Sequence, residues 1–501
     1  MSAGHIAVID VGKTNKKVIV FDQALHIVDS SFAEFSESVE DGIHLENIAG
    51  MTAWFKKTLA GFAAKYRIEA ISVTTHGATV LCLDAAGQLA VPPVAYTTEA
   101  DEGFRQEFYR VFGAREQLQQ TTGTAEVGSL INTGKLIYFM QKRYPDRFAG
   151  VRTILNFPQY IGYLLTGKTG AEPTFMGCHT YLYDFAGRGY SDVARQLGII
   201  DKLPGSIRNP WDVLGTVSPA IAAQCGLPDD CIVTLGIHDS NSSLLPYLVK
   251  GFTNFALNST GTWCVLMHPT DSVSFRSEEL GKLVFFNCDA FFNPVKTSIF
   301  MGGLEFDTYM KLLHGRTGRS DYPSFDFERY QRIIHDRALF IIPSVQKGTG
   351  LFPDSRPRVW EDGVQYDLEE IRTGARVPPS FHDLERAHAA LNLSIVLQTR
   401  IALDMAGYRG GGDVFIEGGF RKNSGYTTML ASLCPDSTVS CTSLQEATAF
   451  GAAILAKTAL TRGIPADTRD LFDIDMRKAL PHAFTGLEQY EQRFRELVAD
   501  G

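Results

Sequence analysis

The sequence contains no Cys-x-x-Cys pair, although it has eight cysteines among its 501 residues. Most of them, such as Cys82 and Cys264, stand in apolar runs. Zinc sites and disulfide frameworks depend on characteristic cysteine spacings, so the lack of these spacings argues against both. We expect buried free thiols in a protein of a reducing compartment.

Long apolar runs and an excess of basic charge are also missing. No apolar stretch approaches the roughly 20 residues that a membrane helix needs. Asp10 follows Met1 closely, and no apolar signal-peptide core precedes it. The formal net charge of −9 argues against nucleic acid or an anionic membrane as a partner. The sequence therefore predicts a soluble, cytoplasmic protein in which any phosphate site is local.

A P-loop is excluded, although the opening stretch contains Gly12-Lys13-Thr14. That motif requires a glycine five positions earlier, where this chain has Ala7, and a helix directly afterwards. The residues that follow, up to Phe21, are instead β-branched and aromatic, so they predict a strand.

The opening stretch is thus predicted to form a strand (residues 6–9), a polar turn (10–15) and a second strand (18–21). Such a turn can bind phosphate through its N–H groups and hydroxyls, with Lys13 neutralising charge and Asp10 holding a hydrated Mg²⁺. The alternative is an ordinary surface hairpin.

The rest of the chain alternates strand and helix patterns, which predicts an α/β protein of two to four domains. Residues 70–77 and 231–239 have strand character, whereas residues 45–66 carry apolar side chains three and four apart, as in an amphipathic helix. Residues 315–331 are predicted to be a surface insertion.

One internal echo follows about halfway along the chain. Phe255–Met267 again predicts strand, polar turn and strand, with Gly261 in the place of Gly12. Duplicated units change the fold that is expected, and two such hairpins could hold the phosphates of one nucleotide from both sides. The alternative is chance, because strand–turn–strand units are common.

Asp239 is the strongest candidate for chemistry. An apolar strand ends at Gly236, and His238 and Asp239 follow before a predicted helix. Ligands of α/β sheets bind beyond the carboxyl ends of strands, where a carboxylate can accept the proton of an attacking hydroxyl. The alternatives are that Asp239 only caps the helix and that His238 is structural.

Two further strand ends carry candidate ligands. Gly418 and Gly419 would let the backbone approach a bulky group such as adenosine, with a helix starting near Asn423; the alternative is a plain strand-to-helix turn. His76 and the segment from Tyr96 to Glu102 offer groups that can bind a polyhydroxy ligand. The acidic residues of that segment are expected to be a solvated helix start.

The order of these motifs resembles that of the FGGY family of carbohydrate kinases, most of all its rhamnulokinase and fuculokinase branch. The matching stretches are "DVGKTNKK", "THG", "GIHDSN", "NSTGTW", "MGGLEFD" and "IEGGFRKNS". The resemblance covers nearly the whole chain. It implies an α/β fold of two ribonuclease-H-like domains, as in actin and hexokinase, flanking a catalytic cleft. Residues 1–247 would bind sugar and carry the base, and residues 248–501 would bind nucleotide.

The resemblance also implies roles for individual residues. The catalytic base would be Asp239, and Mg²⁺ would be held by Asp10 and Asp239. Residues near ATP would be Gly12, Lys13, Thr14, Asn15, Thr260, Gly261, Thr262, Gly303, Gly418, Gly419 and Asn423. Residues near the sugar would be His76, Gly77, Tyr96, Thr98, His238 and Asp239.

The chain departs from the family pattern at two places. Tyr96, Thr98 and Ala100 replace the Trp, Asp and Arg of a common Trp-x-Asp-x-Arg segment, and Lys347-Gly348 stands where many relatives have Gly-Glu-Arg. The first departure concerns the contacts that would select the sugar.

The expected reaction is ATP-dependent phosphorylation of a small ketose or polyol, with L-rhamnulose or L-fuculose at O1 as the lead. Ribulose, xylulose and erythritol remain alternatives, as do a non-catalytic sugar or nucleotide sensor and an actin-like nucleotide switch. The expected partner is a small sugar, with neither nucleic acid nor a membrane. A homodimer is left open.

Overall fold

The computed structural model describes residues 4–346 and 350–500, so Lys347 and Gly348 lie outside the described residues. The chain forms two compact units. The first contains the residues up to Thr253, together with Thr270–Val295 and Leu444–Asp473; the second contains Asn254–Pro269, Lys296–Ser443 and the residues from Ile474 onward. Within the described ranges, no helix is both long and apolar enough to cross a bilayer.

The strands are β1 Gly4–Val11, β2 Asn15–Phe21, β3 Ile27–Glu34, β4 Ser38–Glu40, β5 Ile43–Leu45, β6 Arg67–Thr75, β7 Val80–Leu83, β8 Thr153–Asn156, β9 Tyr183–Asp184, β10 Gly189–Tyr190, β11 Val213–Thr216, β12 Ile232–Thr234, β13 Ile237–His238, β14 Phe255–Thr260, β15 Cys264–Pro269, β16 Val284–Cys288, β17 Pro294–Phe300, β18 Leu339–Ile342, β19 Arg358–Glu361, β20 Val364–Asp367, β21 Asp413–Gly418, β22 Thr438–Thr442 and β23 Met476–Lys478.

The α-helices are α1 Ile48–Ala63, α2 Glu102–Phe112, α3 Arg115–Thr122, α4 Thr133–Arg143, α5 Pro145–Ala149, α6 Phe157–Thr166, α7 Pro173–Met176, α8 Asp192–Gln196, α9 Pro219–Cys225, α10 Asp239–Lys250, α11 Gly302–Thr317, α12 Phe327–Asp336, α13 Leu368–Thr373, α14 Leu384–Met405, α15 Ser424–Leu433, α16 Ala447–Thr461 and α17 Leu487–Ala499.

The main sheet of the first unit has the strand order β11-β12-β6-β1-β2-β3, with β13 paired to the end of β6. β1 pairs antiparallel with β2 and parallel with β6. The apolar residues of β1 from Ile6 to Val11 are buried, as expected for a strand covered on both faces. This hairpin is longer than the sequence predicts, because backbone pairing continues to Val11 and Lys16 and leaves only residues 12–15 between the last paired positions.

The second unit repeats this arrangement. β14 pairs antiparallel with β15 and parallel with β21, and β22 extends the parallel set. The echo between the two hairpins is therefore a shared topology: each begins with a strand that joins an antiparallel hairpin to a parallel neighbour. Each unit also has its own apolar core.

Asn132 fixes the loops that border the site of the first unit. Its Oδ1 accepts from Val127 N at 3.0 Å, and its Nδ2 donates to Ala125 O at 3.0 Å and to His179 O at 3.1 Å. The side chain is fully buried. One amide thus satisfies three backbone groups that have little access to water.

Asn132→Ala should lower the free energy of unfolding by about 2–4 kcal/mol, because buried backbone groups lose their partners. Asn47→Ala is the matched control: Asn47 is exposed and caps α1 through Gly50 N, so its loss should cost about 1 kcal/mol. Urea unfolding of both variants checks the difference. Equal losses would contradict the anchoring role of Asn132.

Candidate active site

Asp10 lies near the end of β1 and is almost completely buried. Thr448 Oγ1, from α16, donates to its Oδ2 at 2.6 Å. Burial raises the pKa of Asp10 to about 6, against the opposing effects of Thr448 and Lys17. The nearby carboxylates of Asp239 and Glu446 raise this pKa further. Asp10 is therefore an acid that a cation would stabilise in its charged form.

Lys13 has acidic and aromatic partners inside the first unit. Its Nζ pairs with Glu37, bonds Glu46 at 2.6 Å and lies 4.4 Å from the centre of the Tyr96 ring. The sequence analysis had not identified Glu37 or Glu46, because both are far from Lys13 along the chain. The predicted contact of Lys13 with phosphate stays a prediction, and in this structure its charge is shared with two carboxylates.

The other residues of the first turn are accessible. Thr14 and Asn15 are exposed and Gly12 is half-buried. Beneath them, Lys16 is buried, and its Nζ donates to Lys13 O at 2.6 Å. The hydrogen bond from buried Lys16 thus supports the backbone of the turn, while Thr14 and Asn15 are exposed to solvent.

Asp239 lies at the same edge of the sheet as Asp10. Asp10 pairs with Thr74 of β6, and His238 pairs with Thr75 from the other side of that strand. Asp239 is the first residue of α10, and its Oδ1 accepts from Ser240 N at 2.6 Å. Its side chain is 28% exposed. Burial raises the pKa of Asp239, and the neighbouring His76 opposes that effect.

His76 directly follows β6 and is buried between two aromatic rings, those of Tyr96 and Phe157, each with its centre 5.6 Å away. His76 Nδ1 lies 2.9 Å from Gly77 O and donates to it, because a carbonyl can only accept. Nε2 is then the acceptor nitrogen of the neutral ring, and it is buried without a partner among the described residues. Burial also lowers the pKa of His76.

His238 is buried against Asp239 and Cys178. Its Nε2 lies 3.4 Å from Asp239 Oδ1 and 3.5 Å from Cys178 Sγ. Burial lowers the pKa of His238 to about 3, so the ring is neutral near pH 7.

Among the described residues, the Thr98 side chain makes no hydrogen bond to Asp239, His76 or His238. Its hydroxyl accepts from His44 N at 3.0 Å and donates to His44 O at 3.3 Å, and the residue is 1% exposed. The neighbouring Thr97 instead donates to Glu37 Oε2 at 2.7 Å. A sugar contact of Thr98 stays a prediction.

The second unit forms a turn at residues 261–263 between β14 and β15. Gly261 N donates to Trp263 O at 2.9 Å, and Leu304 N donates to Thr262 O at 3.3 Å. Gly303, in the first turn of α11, is so close that a Cβ there would lie 1.9 Å from Gly261 O. The helix start and the turn can therefore meet only because residue 303 is a glycine.

A pocket of about 670 Å³ opens beside this turn. Of the predicted nucleotide residues, those that line it are Thr260, Gly261, Thr262, Gly303, Gly419 and Asn423. Gly418 lies next to them, at the end of β21 and paired with Thr260. Asn423 also caps α15, because its side chain accepts from Tyr426 N at 3.1 Å. The plain strand-to-helix turn considered as the alternative is therefore present as well.

Aromatic side chains that the sequence analysis missed form a wall of the same pocket. Phe306 stacks on Tyr322 with ring centres 6.2 Å apart, and His388 and Phe420 contact Phe306 edge-on. Tyr322 comes from residues 315–331, which were predicted to be a surface insertion. Tyr322 is 61% exposed, as expected for a surface segment, and it also lines the pocket. A flat heterocycle fits such a wall.

The donor set at the β6 edge fits Mg²⁺, which prefers carboxylate oxygens and water. Burial raises the pKa of Asp10, and repulsion from the Asp239 carboxylate raises it further. A divalent cation between or beside them would relieve that repulsion. These two residues would hold the ion.

Two models of one family match almost the whole chain. Residues 5–246 match the N-terminal domain of the FGGY family of carbohydrate kinases, and residues 252–463 match the FGGY C-terminal domain. The chain belongs to the FGGY family of carbohydrate kinases. The family assignment made from the motifs is therefore confirmed.

Curated relatives match over part of their length. The chain is 27% identical over 208 residues to the rhamnulokinase of Enterococcus faecalis, which is 42% of this chain and 41% of that protein. It is 24% identical over 282 residues to the L-fuculokinase of Salmonella typhi, which is 53% of this chain and 57% of that protein. The matches thus span less than two thirds of these relatives.

Solved structures match over the full length. A carbohydrate kinase from Novosphingobium aromaticivorans has a TM-score of 0.80 and 25% identity, covering 100% of both chains. The Plasmodium falciparum glycerol kinase with ADP has a TM-score of 0.78 and 17% identity, covering 100% of this chain and 98% of that one. The predicted α/β fold with two ribonuclease-H-like domains is confirmed.

Gly303→Ala should lower the melting temperature and weaken nucleotide binding together, because its Cβ would force the turn at Gly261 away from α11. Overpacking of this kind costs about 1–3 kcal/mol. Gly315→Ala, in the same helix and with open space around its Cβ, should stabilise the protein by up to about 1 kcal/mol. Calorimetric titration with ADP checks both variants. Unchanged ADP affinity in Gly303→Ala would argue against this pocket as the nucleotide site.

Proposed function

We propose that the protein transfers the γ-phosphoryl group of ATP to a hydroxyl of a small ketose or polyol. The lead substrate is L-rhamnulose or L-fuculose, phosphorylated at O1. The observation that carries the proposal is that the Asp239 carboxylate lies at the carboxyl edge of β6 in the neighbourhood of His76, whose buried Nε2 has no partner among the described residues.

Asp239 suits the role of general base. It combines a side chain that is 28% exposed with buried surroundings that raise its pKa. A raised pKa makes the carboxylate a stronger proton acceptor. In the proposed reaction, Asp239 orients the attacking hydroxyl and accepts its proton as the bond to phosphorus forms.

The proposed sugar contacts lie around Asp239. His76 Nε2 can accept a hydrogen bond from a second hydroxyl, and Tyr96, held by Lys13 over its ring, offers an apolar face. Gly77 and His238 complete this neighbourhood. Hydroxyl-specific contacts of this kind discriminate strongly between sugars, because an unmatched buried polar group is costly.

We further propose that the second unit holds ATP. Its phosphates would meet Thr260, Gly261 and Thr262, and its adenine would lie against the wall formed by Phe306 and Tyr322. Mg²⁺, when bound, would neutralise charge on the phosphates. Residues 1–247 would thus supply the base and the sugar contacts, and residues 248–501 the nucleotide contacts.

The proposed sugar is taken from the names of the similar proteins. Both matches described above are enzymes named for six-carbon deoxyketoses, rhamnulokinase and L-fuculokinase. A xylulose kinase of Haemophilus influenzae, 28% identical over 162 residues, keeps pentuloses among the candidates.

ADP release with Mg-ATP should rise strongly with one sugar of a panel containing L-rhamnulose, L-fuculose, L- and D-ribulose, D-xylulose, erythritol and glycerol. A single responding deoxyketose would identify the substrate, and a responding pentulose or polyol would replace the lead. Sugar-independent hydrolysis would favour a nucleotide switch. Sugar binding without ADP release would favour a sensor.

Asp239→Asn should reduce kcat on the order of 10²–10⁴-fold, because the amide cannot accept the proton, while ADP still binds. Asp289→Asn is the matched control. Asp289 is also buried with a raised pKa, but its carboxylate accepts hydrogen bonds from the backbone N–H groups of Phe291 and Asn293. Steady-state rates should separate the two variants. Near-normal turnover in Asp239→Asn would refute the assignment of the base.

A further inference from the structure

Three side chains that can ligate a metal meet next to Gly77: Cys178, His179 and His238. Their donor atoms all lie within 4.8 Å of one another. Cys178 and His238 are buried, and His179 is half-buried. Cysteine spacing alone had argued against a zinc site, because it cannot reveal a cysteine and histidines that only the fold brings together.

The distances within this group match those of a metal site. In a tetrahedral zinc site, bonds of about 2.3 Å to sulfur and 2.0–2.1 Å to nitrogen place neighbouring donor atoms roughly 3.5 Å apart. Cys178 Sγ and His238 Nε2 are 3.5 Å apart. Asp239 Oδ1 is 3.4 Å from the same nitrogen; it is not one of the three donors that lie within 4.8 Å of one another, so its carboxylate would have to turn towards them to ligate an ion.

Gly77 leaves space where both histidines point. A Cβ on Gly77 would lie 2.8 Å from His238 Nε2 and 2.9 Å from His179 Nε2. The ring nitrogens of His179 and His238 therefore both approach Gly77 so closely that any larger residue there would displace them.

The backbone of the group is fixed before any ligand arrives. Thr174, in α7, accepts from His238 N at 2.9 Å through its hydroxyl, and that hydroxyl donates to buried Glu172 at 2.6 Å. Asn132 holds His179 O at 3.1 Å. Such supporting contacts keep metal ligands in place and strengthen binding.

We propose that Cys178, His179 and His238 bind a thiophilic divalent cation, with Zn²⁺ as the best-fitting ion and Asp239 as the fourth ligand. Thiolate and imidazole donors select zinc over magnesium, which prefers oxygen. On binding, the S–H bond of Cys178 breaks, a sulfur–zinc bond forms and the proton passes to the buffer. Neither histidine needs to lose a proton, because a neutral ring already offers a lone pair.

A consequence rests on the proposed function. An Asp239 carboxylate bound to zinc cannot accept the proton of a sugar hydroxyl, so zinc at this site inhibits the kinase. Excess Mg²⁺ does not reverse the inhibition, because it cannot compete for a thiolate. The site would make the enzyme sensitive to free zinc.

The test for the site uses Co²⁺ as a probe on the full-length protein, without sugar or nucleotide. We expect one Co²⁺ per chain, with thiolate-to-cobalt charge-transfer absorption and the intense visible bands of a tetrahedral ion, both displaced by one equivalent of Zn²⁺. Cys178→Ser keeps a donor to His238 but lacks the thiolate; it should lose the charge-transfer band and about tenfold or more in affinity. Cys288→Ser, at another buried cysteine beside Tyr183 OH, should bind Co²⁺ normally.

No charge-transfer band in the wild-type protein, or the same band in Cys178→Ser, would overturn the site and leave Cys178 and His238 as a hydrogen-bonded pair. The consequence is tested separately. Buffered Zn²⁺ should inhibit wild-type turnover and spare Cys178→Ser. Zinc binding without inhibition would keep the site and refute its link to Asp239, whereas the lack of any sugar-dependent turnover would refute the proposed function alone.

Discussion

The first unit depends on the burial of carboxylates at the carboxyl edge of a parallel sheet. The register of β1, β6 and β13 brings Asp10 and Asp239 to the same edge, on opposite sides of β6. Burial raises the pKa of both acids, and the charge of Asp239 also raises the pKa of Asp10. Hydrogen bonds from Thr448 to Asp10, and from the N–H and hydroxyl of Ser240 to Asp239, compensate for this burial only in part. An edge of this kind favours a bound cation and a proton acceptor, which are the two demands of phosphoryl transfer.

The second unit uses the same strand arrangement with mostly uncharged groups around its pocket. Its turn of Thr and Gly residues meets the start of α11 at Gly303, and its pocket is closed by aromatic rings from distant segments. Backbone amides, hydroxyls and flat rings suit an anionic ligand with a heterocyclic base. The repeated topology thus carries two different chemistries, one in each unit.

Much of this could be predicted from local sequence. The two hairpins, the strand before Asp239 and the paired glycines after β21 each have a short-range pattern of β-branched residues and turn formers. The residues that were missed are joined by contacts distant along the chain. Glu37 and Glu46 flank the β4–β5 hairpin and reach Lys13 across 24 and 33 positions of the chain. Tyr322 joins Phe306 through a segment without any periodic pattern. Cys178 and His238 likewise lie sixty positions apart. The hydrogen bonds between the Thr98 hydroxyl and the backbone of His44 likewise join positions that are distant along the chain.

The most direct test of the central claim is a crystal structure of the protein with its active sugar and a non-hydrolysable ATP analogue. We expect the hydroxyl that becomes phosphorylated to lie about 2.6–3.2 Å from an Asp239 carboxylate oxygen, with His76 Nε2 accepting from another hydroxyl of the sugar. A sugar bound away from Asp239, with that carboxylate still bonded only to Ser240, would contradict the account.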